Sequence, residues 1–252
     1  MEWVFDTFIS KADLFSILFR MKWIKAEKEA EEIRDLLHKH GVEKGNVLDL
    51  MCGDGRISVF LAKCGYDVVG IDLSPPFIER AVKNARKHGV LGKTVFIIGD
   101  ARYVDKFVNR EFDAVIIVWQ SIGYYDKETD LNLFKKLFRI VHPDGLLLIY
   151  DFMIRDKINE YLSNLPGYFL INEFAVRAEI NFDERESRLL INWFFYKMEK
   201  ARMKFLGCSK ACIILYTLRE IIDMLSRAGW RILEYRDPNS RRPFYIIARA
   251  EK

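Results

Sequence analysis

The sequence predicts an α/β protein: a doubly wound, mostly parallel seven-stranded sheet with helices on both faces, plus an inserted antiparallel β subdomain. Three observations carry this. Over residues 46–151, short apolar strands alternate with amphipathic helices across short connections, which is how a parallel sheet covered on both faces is written. Over residues 168–216 the rhythm changes to longer runs of β-branched and aromatic residues broken by turn residues, as antiparallel hairpins require. A helix and two strands then resume the first pattern. With 252 residues, 50% of them hydrophobic, the chain can bury a sizeable core.

The elements follow in order. Residues 23–40 read as a charged helix, with Gly41 as its stop. The segment after it supplies five strands: 46–50, 67–72, 94–98, 112–118 and 146–151. A helix over 57–63 ends at Gly65, and a helix over 75–88 opens on Ser74 as N-cap with Pro75 at its first position and ends at Gly89. A third helix covers 130–141, and His142-Pro143-Asp144-Gly145 turns the chain into the fifth strand. In the insertion, strands over 168–176, 177–182, 188–198 and 208–216 are expected, with a hairpin turn at 183–186. Thr217 and Glu220 have capping-box spacing ahead of a helix over 218–227, and strands 230–235 and 244–249 close the sheet. The expected division is an N-terminal helical cap at 1–45, a ligand-binding α/β domain at 46–151 with 217–252, and a substrate-selecting or lid subdomain at 152–216. Residues 1–24, with Trp3, Phe5, Phe8, Phe15 and Phe19, read either as a lid over the ligand or as an amphipathic helix packed on the sheet.

Composition excludes several classes. The 40 basic and 36 acidic residues leave a net charge of only +4, small for a protein that coats nucleic acid. No apolar run reaches the roughly 18 residues of a membrane helix, and the N-terminus lacks the pattern of a signal peptide, so a cytoplasmic location is expected. Cys52, Cys64, Cys208 and Cys212 form no CxxC pair and no histidine clusters with them; reduced, mostly buried cysteines and no metal site are expected.

The most informative stretch is VLDLMCGDGRIS, residues 47–58. A strand ends at Asp49-Leu50, a loop carries Gly53 and Gly55, and a helix begins. Glycines there permit tight turning and close ligand approach, and the free N–H groups at a helix start suit a carboxylate or anion. Asp72 ends the second strand, 72 − 49 = 23 residues beyond Asp49, where a carboxylate can accept both hydroxyls of a ribose. Gly53, Gly55 and Ser58 nearly match a dinucleotide fingerprint. Asp49, however, sets a negative charge beside the loop, which repels a pyrophosphate and welcomes an ammonium or sulfonium.

These residues resemble the class I, Rossmann-like S-adenosylmethionine-dependent methyltransferases, of the small-molecule type. VLDLMCGDG resembles the family's first motif, except that the first loop glycine is Met51 here; the loop is expected to survive with a bulkier neighbour. Asp72 in VVGIDLS matches the second motif. Asp100 in FIIGDAR, with Ala101, matches the third, which contacts the adenine amine, and residues 118–125 (VWQSIGYY) match the fourth. The resemblance covers 46–151 and 217–250. It implies S-adenosyl-L-methionine as cofactor, S-adenosyl-L-homocysteine as product, and cofactor contacts at Asp49, Met51, Cys52, Gly53, Asp54, Gly55, Asp72, Leu73, Asp100, Ala101, Trp119 and Gln120. The Cys52 thiol need do nothing; Trp119 and Gln120 either line the cofactor or pack beneath it.

Methyl transfer needs two reactants positioned and water excluded, so no catalytic residue is assigned. If the acceptor must lose a proton, Asp126, Asp151 and Glu173 are candidate bases. Tyr124 and Tyr125 face the substrate or pack under a lid, and His142 and the Cys208/Cys212 pair read as structural. Trp119-Gln120-Ser121-Ile122 stands where amino-methyltransferases of nucleic acids carry Asn/Asp-Pro-Pro-Tyr/Phe. The aromatic insertion and the N-terminal cap resemble small-molecule N- or O-methyltransferases. The competing readings are an RNA methyltransferase using Lys197, Lys200, Arg202, Lys204 and the pair Arg241, Arg242 as a phosphate track, a non-catalytic nucleotide-binding module, and, against Asp49, an NAD-dependent oxidoreductase. No membrane partner is expected, and the chain is expected to be a monomer or homodimer.

Overall fold

The computed structural model describes residues 2–164, 167–200, 202–240 and 243–252; Arg241 and Arg242 lie outside them. Five parallel strands, β1 (Asn46–Leu50), β2 (Asp67–Asp72), β3 (Thr94–Ile98), β4 (Phe112–Val118) and β5 (Val141–Tyr150), are joined by the antiparallel β11 (Tyr245–Ala250) and by β10 (Trp230–Tyr235). The order is β10-β11-β5-β4-β1-β2-β3. β1 lies between β2 and β4, where the chain reverses direction across the sheet, so a crevice opens at its carboxyl end.

Alternation along β1 sorts the core into two layers. Val47 points to α2 (Ala12–Lys39) and α3 (Arg56–Lys63), packing with Ile33, Leu37 and Leu61. Leu48 and Leu50 point to α5 (Lys127–Ile140) and α7 (Leu218–Arg227), packing with Phe134, Leu137 and Ile221. Asp49 breaks the apolar run at the strand's ligand end. α4 (Pro75–Lys87) starts as expected: Ser74 Oγ accepts from the Phe77 N–H, with proline in the first turn. The Thr217–Glu220 capping box is formed in both directions.

The insertion is a second, four-stranded antiparallel sheet, β6 (Phe169–Ile171), β7 (Phe174–Asp183), β8 (Arg188–Glu199) and β9 (Arg202–Ile214). It is tied to the main sheet where the Ile214 N–H donates to the Gly123 carbonyl and the Arg155 N–H to that of Tyr216. The short helix α6 (Ile158–Ser163) precedes it, and α1 (Glu2–Phe5) with a π-helical turn at Asp6–Ser10 docks on it: the buried Thr7 hydroxyl hydrogen-bonds Ser209 Oγ and the Lys210 carbonyl.

Several expectations are corrected. The first long helix starts at Ala12, not Trp23, because one stripe (Phe15, Phe19, Trp23, Ala26, Ala30, Ile33, Leu37) runs at helical spacing through both halves. His142 to Gly145 bulge out of β5 rather than preceding it: the pairing jumps from Phe112 opposite Val141 to Ala114 opposite Leu146, with Asp144 at φ 64. The strand expected over 168–176 is broken by an Asn172-Glu173 turn, Asn172 taking the left-handed conformation. β9 starts six residues earlier than expected, so the basic run forms the tip of the β8–β9 hairpin. Of the cysteines only Cys52 is buried; Cys208 is exposed and not core.

Candidate active site

A cavity opens at the carboxyl ends of β1, β2, β3 and β4. Of the twelve residues expected to touch a cofactor, all line it except Gly55 and Gln120. Gly55 instead lies under α3 at φ 76, where a Cβ would stand 2.9 Å from that of Ala81. It is needed for helix packing. Gln120 turns away: its Oε1 accepts from the Met153 N–H at 2.7 Å.

The floor is built by the loop after β1. Met51 and Gly53 both adopt left-handed backbone, at φ 60 and 57. For methionine this costs about 1–2 kcal/mol, which explains why a glycine is the more usual residue there. A Cβ on Gly53 would stand 3.0 Å from the Phe19 ring, so the glycine is required by space as well as by φ. The loop is fixed by Asp72: its Oδ2 accepts from the Gly53 N–H at 2.8 Å and its Oδ1 from the Ser74 N–H at 2.9 Å. Burial pushes the Asp72 carboxyl up to about 6 against those two donors. Asp49 is 2% exposed and is likewise pushed up to about 6 by burial, opposed by the 2.5 Å hydrogen bond from Ser58 Oγ and by the nearby Arg56. The Cys52 thiol, buried among these carboxylates, is pushed well up and stays protonated.

Next to them Asp54 is 6% exposed. Its Oδ2 accepts from Trp23 Nε1 at 2.6 Å, whereas its buried Oδ1 has no partner among the described residues. Arg56, 5% exposed and ion-paired with Glu29 of α2, lines the same wall. An unfilled carboxylate oxygen and a guanidinium side by side fit the ammonium and carboxylate of an amino acid. Asp100, at the end of β3, accepts from its own neighbour Arg102, whose guanidinium lies 2.5 Å away. Arg56 is the residue the sequence reading missed; a cation at the first position of a helix after a glycine loop was its signal.

The opposite wall is aromatic. Phe15 and Phe19 of α2 pack on Trp119 at centroid distances of 6.0 and 5.7 Å, and Phe8 stacks on Tyr124 at 5.6 Å. Tyr125, also on this wall, is pushed up to about 12, chiefly by burial. The loop carrying Tyr124 and Tyr125 is held by Asp130, which is 3% exposed and accepts from the Gly123 N–H at 3.0 Å and the Tyr216 hydroxyl at 2.6 Å. Of the two readings of residues 1–24, the structure shows a helical segment that supplies this wall.

The candidate bases fall elsewhere. Asp126 caps α5, accepting from the Thr129 N–H. Glu173 sits in a turn, 3.7 Å from Arg20. Asp151 pairs with Lys22 at 2.7 Å, outside this cavity. His142, 3.1 Å from Glu111, is at the amino end of β5, away from the site. Among the described residues no helix is long and apolar enough to cross a membrane, and no cluster of metal-ligating side chains occurs.

Comparison with known proteins gives this geometry a context. A family model described as a methyltransferase domain matches residues 47–145. A cobalt-precorrin-6B C(15)-methyltransferase (decarboxylating) assigned in Saccharolobus solfataricus is 32% identical over 56% of this chain and 70% of its own length. The chain belongs to the S-adenosylmethionine-dependent methyltransferases. YqeM of Bacillus subtilis, itself a methyltransferase by assignment, is 38% identical to this methyltransferase over 47% of the chain and 46% of its own length. Glycine/sarcosine N-methyltransferase of Parasynechococcus marenigrum is 33% identical over 50% and 43%. The chain thus spans about half the length of these two relatives. The fold as a whole matches an S-adenosylmethionine-dependent methyltransferase from Clostridium acetobutylicum, with TM-score 0.79, 18% identity, and 96% and 98% of the two chains covered. It also matches S-adenosylmethionine-bound CalS10, an amino pentose methyltransferase from Micromonospora echinaspora, with TM-score 0.71, 17% identity, and 89% and 91% covered.

Proposed function

We propose that this protein transfers the methyl group of S-adenosylmethionine to a nitrogen or oxygen of a small molecule. The observation that carries the reading is the convergence of Asp49, Asp72 and Asp100, from the ends of three successive strands, on one cavity whose other wall is aromatic. When bound, the cofactor supplies a methyl group on a positively charged sulfur, open to in-line displacement by an acceptor lone pair. Asp72 takes the ribose hydroxyls, Asp100 faces the adenine amine, and Asp54 Oδ1 with Arg56 holds the amino-acid end. Asp49 adds negative charge beneath the loop. The aromatic wall from α2 and the loop at Tyr124 excludes water and orients the acceptor. None of the candidate bases lines this cavity, so positioning carries the rate.

The boundaries follow: residues 1–45 and 152–216 roof and select, and 46–151 with 217–252 bind cofactor. The small-molecule class is supported by the glycine/sarcosine and amino pentose acceptors named for the relatives and by the basic run Lys197, Lys200, Arg202 and Lys204, which lines neither of the two described cavities. A soluble cytoplasmic monomer or homodimer is consistent with this role. Calorimetric titration with S-adenosylmethionine, S-adenosylhomocysteine and NAD tests it: binding of the first two and not of NAD is expected, and NAD binding alone would return the site to a dehydrogenase.

A further inference from the structure

A second cavity, of about 430 Å³, opens at the carboxyl end of β5 beside the first, and Trp119 is the residue common to both walls. Three features set it apart. The backbone between the cavities is strained: Trp119, Gln120 and Asp151 all take left-handed conformations, with φ of 59, 38 and 57. Each such non-glycine residue costs roughly 1–3 kcal/mol, and such outliers gather at functional sites. They are held there by neighbours, the Trp119 N–H donating to the Tyr150 carbonyl at 2.9 Å and the Asp151 N–H to that of Phe244 at 2.9 Å. The Trp119 ring is thereby held as a partition, with Lys22 Nζ 4.9 Å from its centroid and bonded to Asp151.

The second feature is charge. Around this cavity Asp151 is matched by Lys22, and Glu160 by Lys157 at 3.2 Å. Lys25, which lines the rim, has no ion pair or hydrogen bond with any described residue. Among the described residues around this cavity, one positive charge is therefore left over. The third feature is shape: Phe152, Met153 and Phe244 give the cavity an apolar floor. An unpaired cation above an apolar floor selects a ligand with an anionic group on an apolar or ring-shaped body.

We propose that the second cavity binds the anionic end of the methyl acceptor, a phosphate or a carboxylate held at Lys25, while the reacting atom meets the cofactor at Trp119. This rests on the methyltransferase reading above, but it is tested separately. Two methionines report on the two cavities, Met51 on the first and Met153 on the second. In protein labelled with [methyl-¹³C]methionine, with the resonances assigned from Met51→Leu and Met153→Leu, S-adenosylhomocysteine is expected to move the Met51 signal. Phenyl phosphate or benzoate is expected to move that of Met153, and whichever binds more tightly identifies the anion. Lys25→Ala, a change on an exposed helix face, is expected to weaken that ligand at least threefold and leave S-adenosylhomocysteine affinity unchanged; neutral phenol is expected to show no loss in the variant. The proposal is overturned if neither anion moves Met153, or if Lys25→Ala leaves their affinity intact. A Met51 signal unmoved by S-adenosylhomocysteine, with Met153 still responding, would instead sink the methyltransferase reading and leave an anion site without that role.

Discussion

The two walls of the first cavity are built by opposite strategies. The polar wall is local. Asp49, Asp54, Arg56 and Asp72 come from one strand–loop–helix–strand unit; Asp49 and Asp72 are bonded within twenty positions, to Ser58 and Gly53, and only Asp54 and Arg56 reach back to α2. The aromatic wall is assembled from two distant segments, the N-terminal helices and the loop after β4, and is backed by the second sheet, Phe15 touching both Trp119 and Trp193. A local wall holds its groups ready for a common cofactor. A wall made of long-range contacts is free to vary and orders only when the chain is folded. It follows that the polar wall should govern cofactor affinity and the aromatic wall stability.

Substitutions can separate the two. Phe15, 3% exposed, is central to the aromatic wall, and Phe15→Ala is expected to lower the unfolding free energy by about 3–5 kcal/mol. Urea unfolding measures this, and the comparison breaks if cofactor affinity falls more than stability does. Asp72→Ala is expected to weaken S-adenosylhomocysteine by roughly 10- to 100-fold, since hydrogen bonds to a charged group contribute about 1.5–3 kcal/mol. Calorimetry on the variant decides it, and unchanged affinity would remove Asp72 from the ribose.

The pH dependence sharpens the same contrast. Asp49 and Asp72 are both pushed up to about 6 in the folded chain, above the ordinary carboxylate value. The folded state therefore binds protons more readily than the unfolded one between about pH 4 and 6. Their contribution to stability is fully present below that window and is lost as pH rises through 6. Cofactor affinity should move the other way: the ionised carboxylates are the better acceptors and attract the cofactor's positive charge, so affinity is expected to rise several-fold from pH 5 to 7. A titration series over that range reads the slope, and a flat profile would mean that neither carboxylate ionises in the relevant step. The smallest effect is expected at the far end of the sheet. His142→Ala breaks only a half-exposed pair with Glu111, worth less than about 1 kcal/mol. A thermal melt and a binding isotherm should both match the parent protein.

Legibility in the sequence followed the same division. Ser74 as N-cap, the Thr217–Glu220 box and the strand ends at Asp49, Asp72 and Asp100 were all readable, because each depends on neighbours a few residues away. The turn at Gly55 was readable, but its packing reason, the approach of Ala81 in another helix, was not. Gln120 was misplaced because a left-handed backbone at φ 38 turns it toward Met153, and no local signal marks an isolated glutamine for that conformation. Asp130 went unnoticed since its partners Tyr216 and Gly123 meet it only across elements.

By itself, then, the sequence determined the α/β class, the order of the strands along the chain, the carboxylates at their ends and the cofactor they suit. Periodicity, capping and glycine spacing are short-range properties, and a parallel sheet translates them directly into positions along one edge. Only the tertiary structure decided which carboxylates are buried enough to titrate near 6, which aromatic side chains close the cavity, and that a second cavity stands behind Trp119. Burial and proximity are set by segments far apart in sequence, and no residue carries them alone.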